Sequence, residues 1–202
     1  MPLWLGIEPL LLASASRVRQ ALLRNAGIAL EVAPAAIDER AVEATSPSAD
    51  PAAVAALLAR EKARAVECRH PGRLVLGADQ VLAFGSRRLT KPVDRAAARA
   101  QLDALRGRTH ALVCAVALVR DGAIVFEHVD AARLTMRAFS ERFLDGYLDA
   151  VGEAATESVG AYQLEGLGVQ LFDRIEGDYF TVLGLPLVPV LGFLRLHGYL
   201  VS

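Results

Sequence analysis

Asp121-Gly122 separates two apolar runs, residues 109–119 and 123–134. A two-residue hairpin turn needs positive φ at both positions, which Asp and Gly accept at little cost, so the pair predicts a β-hairpin. Strands and helices alternate before it. Residues 10–13 read as a short buried strand, and Ser14 or Ser16 then caps a helix that runs to Asn25-Ala26 and ends at Gly27. Residues 28–33 read as a second strand, 34–51 as a loop, and the alanine-rich stretch 52–67 as a helix. Residues 74–77 form a strand that continues as 78–84 after a bend at Gly77, and Asp94 caps a helix to Leu105. Beyond the hairpin, Ser140 caps a helix to residue 150, and 152–168 is a glycine-containing loop. Residues 179–183 read as a strand, and Pro186 opens a last helix to about His197. Alternation interrupted by a hairpin points to an α/β fold with a mixed sheet.

The 202 residues allow one generous domain, or two small lobes sharing a core. Hydrophobic residues make up 53% and charged residues 22%, a globular composition. The net charge of −1 provides no basic surface for nucleic acid or anionic lipid. Residues 1–16 are apolar but lack the positive region of a secretion signal, and Glu8 interrupts them. The uncharged run 180–194 carries Pro186 and Pro189 and falls short of the ~20 residues of a membrane span. Cys68 and Cys114 form no disulfide framework or zinc spacing. A cytoplasmic protein without membrane or nucleic-acid partners is expected.

Of 22 basic residues only two, Lys62 and Lys91, are lysine. A chain so biased to arginine keeps lysine either by chance or where a compact, flexible charge is wanted. Lys62 lies in Glu61-Lys62-Ala63-Arg64, which by itself reads as a solvated helix face. Lys91 precedes Pro92, which restricts Thr90 and Lys91 to an extended path. That path suits a lysine aimed at phosphate, and equally a plain strand-to-helix loop. In Leu74–Leu82, Asp79 interrupts an apolar extended run. A carboxylate there is costly unless paired or bound to a metal, so metal or catalytic use competes with an Asp-capped turn. Ser14 and Ser16 open a helix with Arg17 and Arg19 in its first turn. Basic residues at the positive end of a helix are awkward unless an anion binds there, and the competing reading is a Ser-capped surface helix. Asp38-Glu39 is weak alone. The four histidines lack metal-ligand spacing, and no Walker-type phosphate loop or Gly-x-Ser-x-Gly elbow occurs.

In order and spacing these segments resemble the Maf family over nearly the whole chain. The carriers are Leu12-Ala13-Ser14-Ala15-Ser16-Arg17-Val18-Arg19, Asp38-Glu39, Glu61-Lys62-Ala63, Gly77-Ala78-Asp79-Gln80 and Lys91-Pro92. Gly107 with His110, Gly160-Ala161-Tyr162, Glu165-Gly166 and Gly177-Asp178-Tyr179 through Gly184-Leu185-Pro186 complete them. Each motif is modest and their collinearity is specific; both lysines fall inside motifs.

The resemblance implies a single Maf-like domain over residues 1–202, of Maf/ITPase type, with a mixed sheet, flanking helices and two lobes around a cleft. It implies cleavage of a nucleoside triphosphate between its α- and β-phosphates, with Mg²⁺ or Mn²⁺ as cofactor. Asp79 would activate water and, with Glu39, hold the metal. Lys62, Lys91, Arg19 and the Ser14/Ser16 loop would bind phosphates. Gln80 and Glu165 resemble the branch acting on 7-methyl-GTP. Arg17 replaces the family's proline, and Val18 stands at the base-contacting position, where an aromatic would normally stack. A homodimer is also implied. The competing expectation is a non-enzymatic regulator of septum formation or cell division; a phosphatase or kinase of another kind is the weaker third.

Overall fold

The computed structural model of the chain describes residues 3–46 and 48–201. The strands are β1 (Leu10–Leu12), β2 (Leu30–Val32), β3 (Val75–Phe84), β4 (Arg87–Leu89), β5 (Thr109–Arg120), β6 (Ala123–Met136) and β7 (Phe172–Glu176). The α-helices are α1 (Arg17–Asn25), α2 (Glu39–Ala44), α3 (Pro51–Glu67), α4 (Arg95–Leu105), α5 (Glu141–Val151), α6 (Tyr179–Val182) and α7 (Leu187–Leu196). The sheet is mixed, in the order β2-β1-β3-β5-β6-β7, with β4 paired to β3. β1 runs parallel to β2 and to β3, while β3–β4 and β6–β7 are antiparallel.

The described residues divide into two compact units. The first holds the chain up to Gln80, Cys114–Asp130 and the chain from Gly184; the second holds Val81–Val113 and Ala131–Leu183. Strands β3, β5 and β6 each pass from one unit into the other. In the first unit Leu11, Ala13, Ala63, Val66, Val75 and Val119 form a buried cluster that joins α3 to the parallel strands. In the second, Leu102 and Leu105 of α4, Leu144 and Leu148 of α5, and Leu134 of β6 are fully or almost fully buried in one core. No helix among the described residues is long and apolar enough to cross a membrane.

The hairpin forms as expected, with Asp121 at φ 51° and Gly122 at φ 75° between β5 and β6. Four local expectations are corrected. The segment read as loop around Asp38-Glu39 contains α2, because the Asp38 carboxylate accepts from the Ala41 N–H and good helix formers follow. The strand expected at 179–183 is the single helical turn α6. Asp178 caps it through the Thr181 N–H, and this outweighs the β preference of Tyr, Phe, Thr and Val. The long glycine loop carries short 3-10 turns at Gly152–Thr156, Val159–Ala161 and Leu167–Leu171. Finally, β3 is one unbroken strand through Gly77, without the expected bend. A Cβ on Gly77 would overlap the Ala59 carbonyl oxygen and lie 2.8 Å from the Ala63 nitrogen. Glycine is needed there for the close passage of the α3 backbone rather than for a turn.

Candidate active site

That close passage builds the site. Side chains two apart on a strand share a face, so Asp79 faces the side on which α3 crosses Gly77. Lys62 lies on α3 immediately before Ala63, the residue packed on Gly77. Its ammonium reaches Asp79 Oδ1 at 2.6 Å and Glu39 Oε1 at 2.8 Å. Lys62 and Asp79 are both buried, with 9% and 7% of their surfaces exposed, whereas the Glu39 side chain is half exposed. Burying a charge without a partner costs several kcal/mol, so Asp79 requires Lys62, whereas Lys62 also has Glu39. Asp79 therefore stands within β3, paired with a lysine, and does not cap a turn. The acidic pair divides its tasks: Asp38 caps α2, and Glu39, the first residue of that helix, turns to Lys62.

A second cluster adjoins Asp79 through its neighbour Ala78. β1 delivers the chain to Ser14, and Ser16 caps α1 by accepting from the Arg19 N–H. Arg19 donates from Nη1 to Ser14 Oγ at 3.2 Å and to the Ala78 carbonyl at 2.9 Å, and from Nε to the Gly184 carbonyl at 2.7 Å. The arginine thus ties the β1–α1 turn, β3 and the segment leading to α7 together. Val18 is half-buried on α1, and Gln80 is half-buried on β3 beside Asp79. Gly184, not singled out as a site residue beforehand, has φ 90°, and a Cβ on it would sit 3.4 Å from Arg19 Nη2 and 3.6 Å from Gln80 Oε1. Cys114 lies buried in the same unit. Burial raises its thiol to about 12 against a downward pull from Arg19, with smaller pushes from Asp79 and then Asp130, which makes it inert.

The remaining candidates lie in the second unit. Lys91 is exposed between β4 and α4, and Glu165 is exposed just before the 3-10 turn Leu167–Leu171. The structure therefore brings together Glu39, Lys62 and Asp79, and beside them Ser14, Ser16 and Arg19.

A divalent cation fits the first group. The ion pairs occupy one oxygen each of Glu39 and Asp79, which leaves the other oxygen of each as a hard ligand. Magnesium and manganese commonly bind through one or two carboxylates, with phosphates and waters filling the octahedron. Among the described residues no three His, Cys, Asp or Glu side chains surround a common metal position. A cation held partly by its substrate requires no such cluster.

The family model described as Maf-like protein matches residues 9–197. The chain belongs to the Maf-like family. A relative from Nitrobacter winogradskyi named nucleoside triphosphate pyrophosphatase is 60% identical over 195 residues, covering 96% of each chain. A relative of the same name from Rhodopseudomonas palustris is 58% identical over 200 residues, covering 99% of each. Among solved structures, a HAM1 protein from Coxiella burnetii aligns with 66% of this Maf-like chain and 75% of its own, at 18% identity and a TM-score of 0.40.

Proposed function

We propose that this Maf-like protein is a divalent-metal-dependent nucleoside triphosphate pyrophosphatase that releases a nucleoside monophosphate and pyrophosphate. The observation that carries this reading is the buried Lys62 ammonium held between Glu39 and Asp79. The names of relatives at 58–60% identity support the same reaction.

In this reading the triphosphate lies along the cations of the β1–α1 turn and α3. The Ser14 and Ser16 hydroxyls and Arg19 Nη2 donate to phosphate oxygens, and Lys62 neutralises charge on the group that is attacked. Lys91 supplies a further cation for phosphate. Asp79 accepts a proton from water as the water oxygen bonds to the α-phosphorus. The bond from that phosphorus to the α–β bridging oxygen breaks, and pyrophosphate leaves with the electron pair. A bound Mg²⁺ or Mn²⁺, held by Glu39, Asp79 and phosphate oxygens, would supply charge stabilisation and a more acidic water. Lys62 sets the Asp79 carboxylate in place.

For the base, Gln80 and Glu165 support a methylated purine such as that of 7-methyl-GTP. A carboxylate favours the cationic ring, and Gln80 offers an amide for its edge. Val18 supplies an apolar contact where an aromatic would stack, so affinity for the base rests more on these polar groups. The test is a panel of 7-methyl-GTP, GTP, dTTP, UTP and CTP with Mg²⁺ or Mn²⁺. The expected result is pyrophosphate release with the highest kcat/KM for 7-methyl-GTP. A preference for dTTP or UTP would overturn the base assignment and leave the reaction standing.

A further inference from the structure

Gln101 sits half-buried on α4 and uses both ends of its amide within the second unit. Its Nε2 donates to the Thr90 carbonyl at 2.8 Å, and its Oε1 accepts from the Gly160 N–H at 3.2 Å. A backbone carbonyl only accepts and a backbone N–H only donates, so the amide orientation is fixed. A carboxylate cannot serve both partners, and neither can an ammonium.

The two partners are informative. Thr90 immediately precedes Lys91, whose path is further restricted by Pro92. Gly160 begins a tightly held stretch leading to Glu165. Gly160 has φ 81°, and a Cβ on it would lie 2.5 Å from the Tyr162 ring and 2.7 Å from Leu82. The Ala161 carbonyl accepts from Tyr147 Oη at 3.1 Å, the Tyr162 carbonyl from Ser158 Oγ at 2.6 Å, and Tyr162 Oη meets His110 Nε2 at 2.7 Å. Downstream of these anchors the chain is exposed at Glu165. One side chain therefore ties the backbone that presents Lys91 to the backbone that presents Glu165.

We infer that Gln101 is a positioning residue that holds the phosphate-binding Lys91 segment and the base-reading Glu165 segment in one fixed register. This rests on the roles given to Lys91 and Glu165 above. Gln101 touches no substrate; it makes phosphate binding and base selection depend on one another. Replacing it by Leu removes both bonds at similar size. Replacing it by Glu keeps an acceptor for Gly160 and loses the donor to Thr90.

The test is steady-state kinetics of wild type, Gln101→Leu and Gln101→Glu on 7-methyl-GTP and GTP, with melting temperature and backbone hydrogen exchange beside it. The expected result for Gln101→Leu is a rise in KM of about tenfold with kcat less affected, the scale of losing one or two hydrogen bonds. The kcat/KM ratio between the two nucleotides narrows, and exchange quickens at both Gly160 and Lys91. Gln101→Glu loosens Lys91 more than Gly160. Unchanged KM and base discrimination in an active enzyme would overturn the inference. So would an equal loss on both nucleotides that merely follows a lower melting temperature. Inactivity of the wild type on every nucleotide would instead refute the pyrophosphatase reading, and the exchange data would still decide whether Gln101 links the two segments.

Discussion

Asp79 depends on Lys62 more than Lys62 depends on Asp79, and substitution separates them. Asp79→Asn keeps the shape and leaves Lys62 its partner Glu39, so the protein should stay folded while activity falls about a hundred- to ten-thousandfold, the usual weight of a general base. Lys62→Met strands a buried carboxylate. Chemical denaturation at pH 7 should show it losing about 3–5 kcal/mol, clearly more than Asp79→Asn. Equal losses in the two variants would mean that Lys62 does not compensate Asp79. Sequence alone flagged both residues, Lys62 by the scarcity of lysine and Asp79 by the cost of a carboxylate in an apolar run. It did not show that they touch, because residues 17 positions apart meet only through the packing of α3 on β3. Nor did it show the three acceptors around Arg19, two of which are backbone carbonyls carrying no side-chain signal.

At the level of elements, α3 passes close against β3 at Gly77. Gly77→Ala would force the Cβ into the Ala59 carbonyl, backbone against backbone, which cannot move as a side-chain end can. The expected cost is roughly 3 kcal/mol or more, read as a lower denaturation midpoint, together with loss of activity as Lys62 is pushed from Asp79. A variant with normal stability and activity would show that the approach has slack. The elements legible in advance had strong local signals: the Asp121-Gly122 turn, the alanine-rich α3 and the Asp94 cap of α4. Those missed had signals that were short or contradictory. β4 has three residues and pairs with β3 across the turn at Gly85. β7 alternates poorly, with charges at Asp173, Arg174 and Glu176, because it pairs on one side only, with β6. In α6 a side-chain cap prevailed over β-prone residues.

For the molecule as a whole, His110 makes stability depend on pH. Burial lowers its pKa to about 4, against 6.5 unperturbed, and its buried Nδ1 has no hydrogen-bond partner among the described residues. As pH falls, the unfolded chain takes up this proton first. The contribution is therefore full above about pH 6.5 and is lost as pH falls towards 4, by up to about 3 kcal/mol. Denaturation midpoints between pH 4 and 7 should fall more steeply for wild type than for His110→Gln; parallel slopes would show that His110 titrates normally. The α/β class, the mixed sheet and the family were all legible in the sequence. Two lobes were expected from the resemblance, but where the chain divides between the two units was not legible, because β3, β5 and β6 run through both and no linker marks a boundary. The most direct test of the central claim is to incubate the metal-loaded protein and its Asp79→Asn variant with the nucleotide panel and separate pyrophosphate from orthophosphate. The account predicts equimolar nucleoside monophosphate and pyrophosphate from wild type, dependent on Mg²⁺ or Mn²⁺ and lost in the variant. Orthophosphate with a nucleoside diphosphate, or no turnover of any nucleotide by the folded wild type, would contradict it.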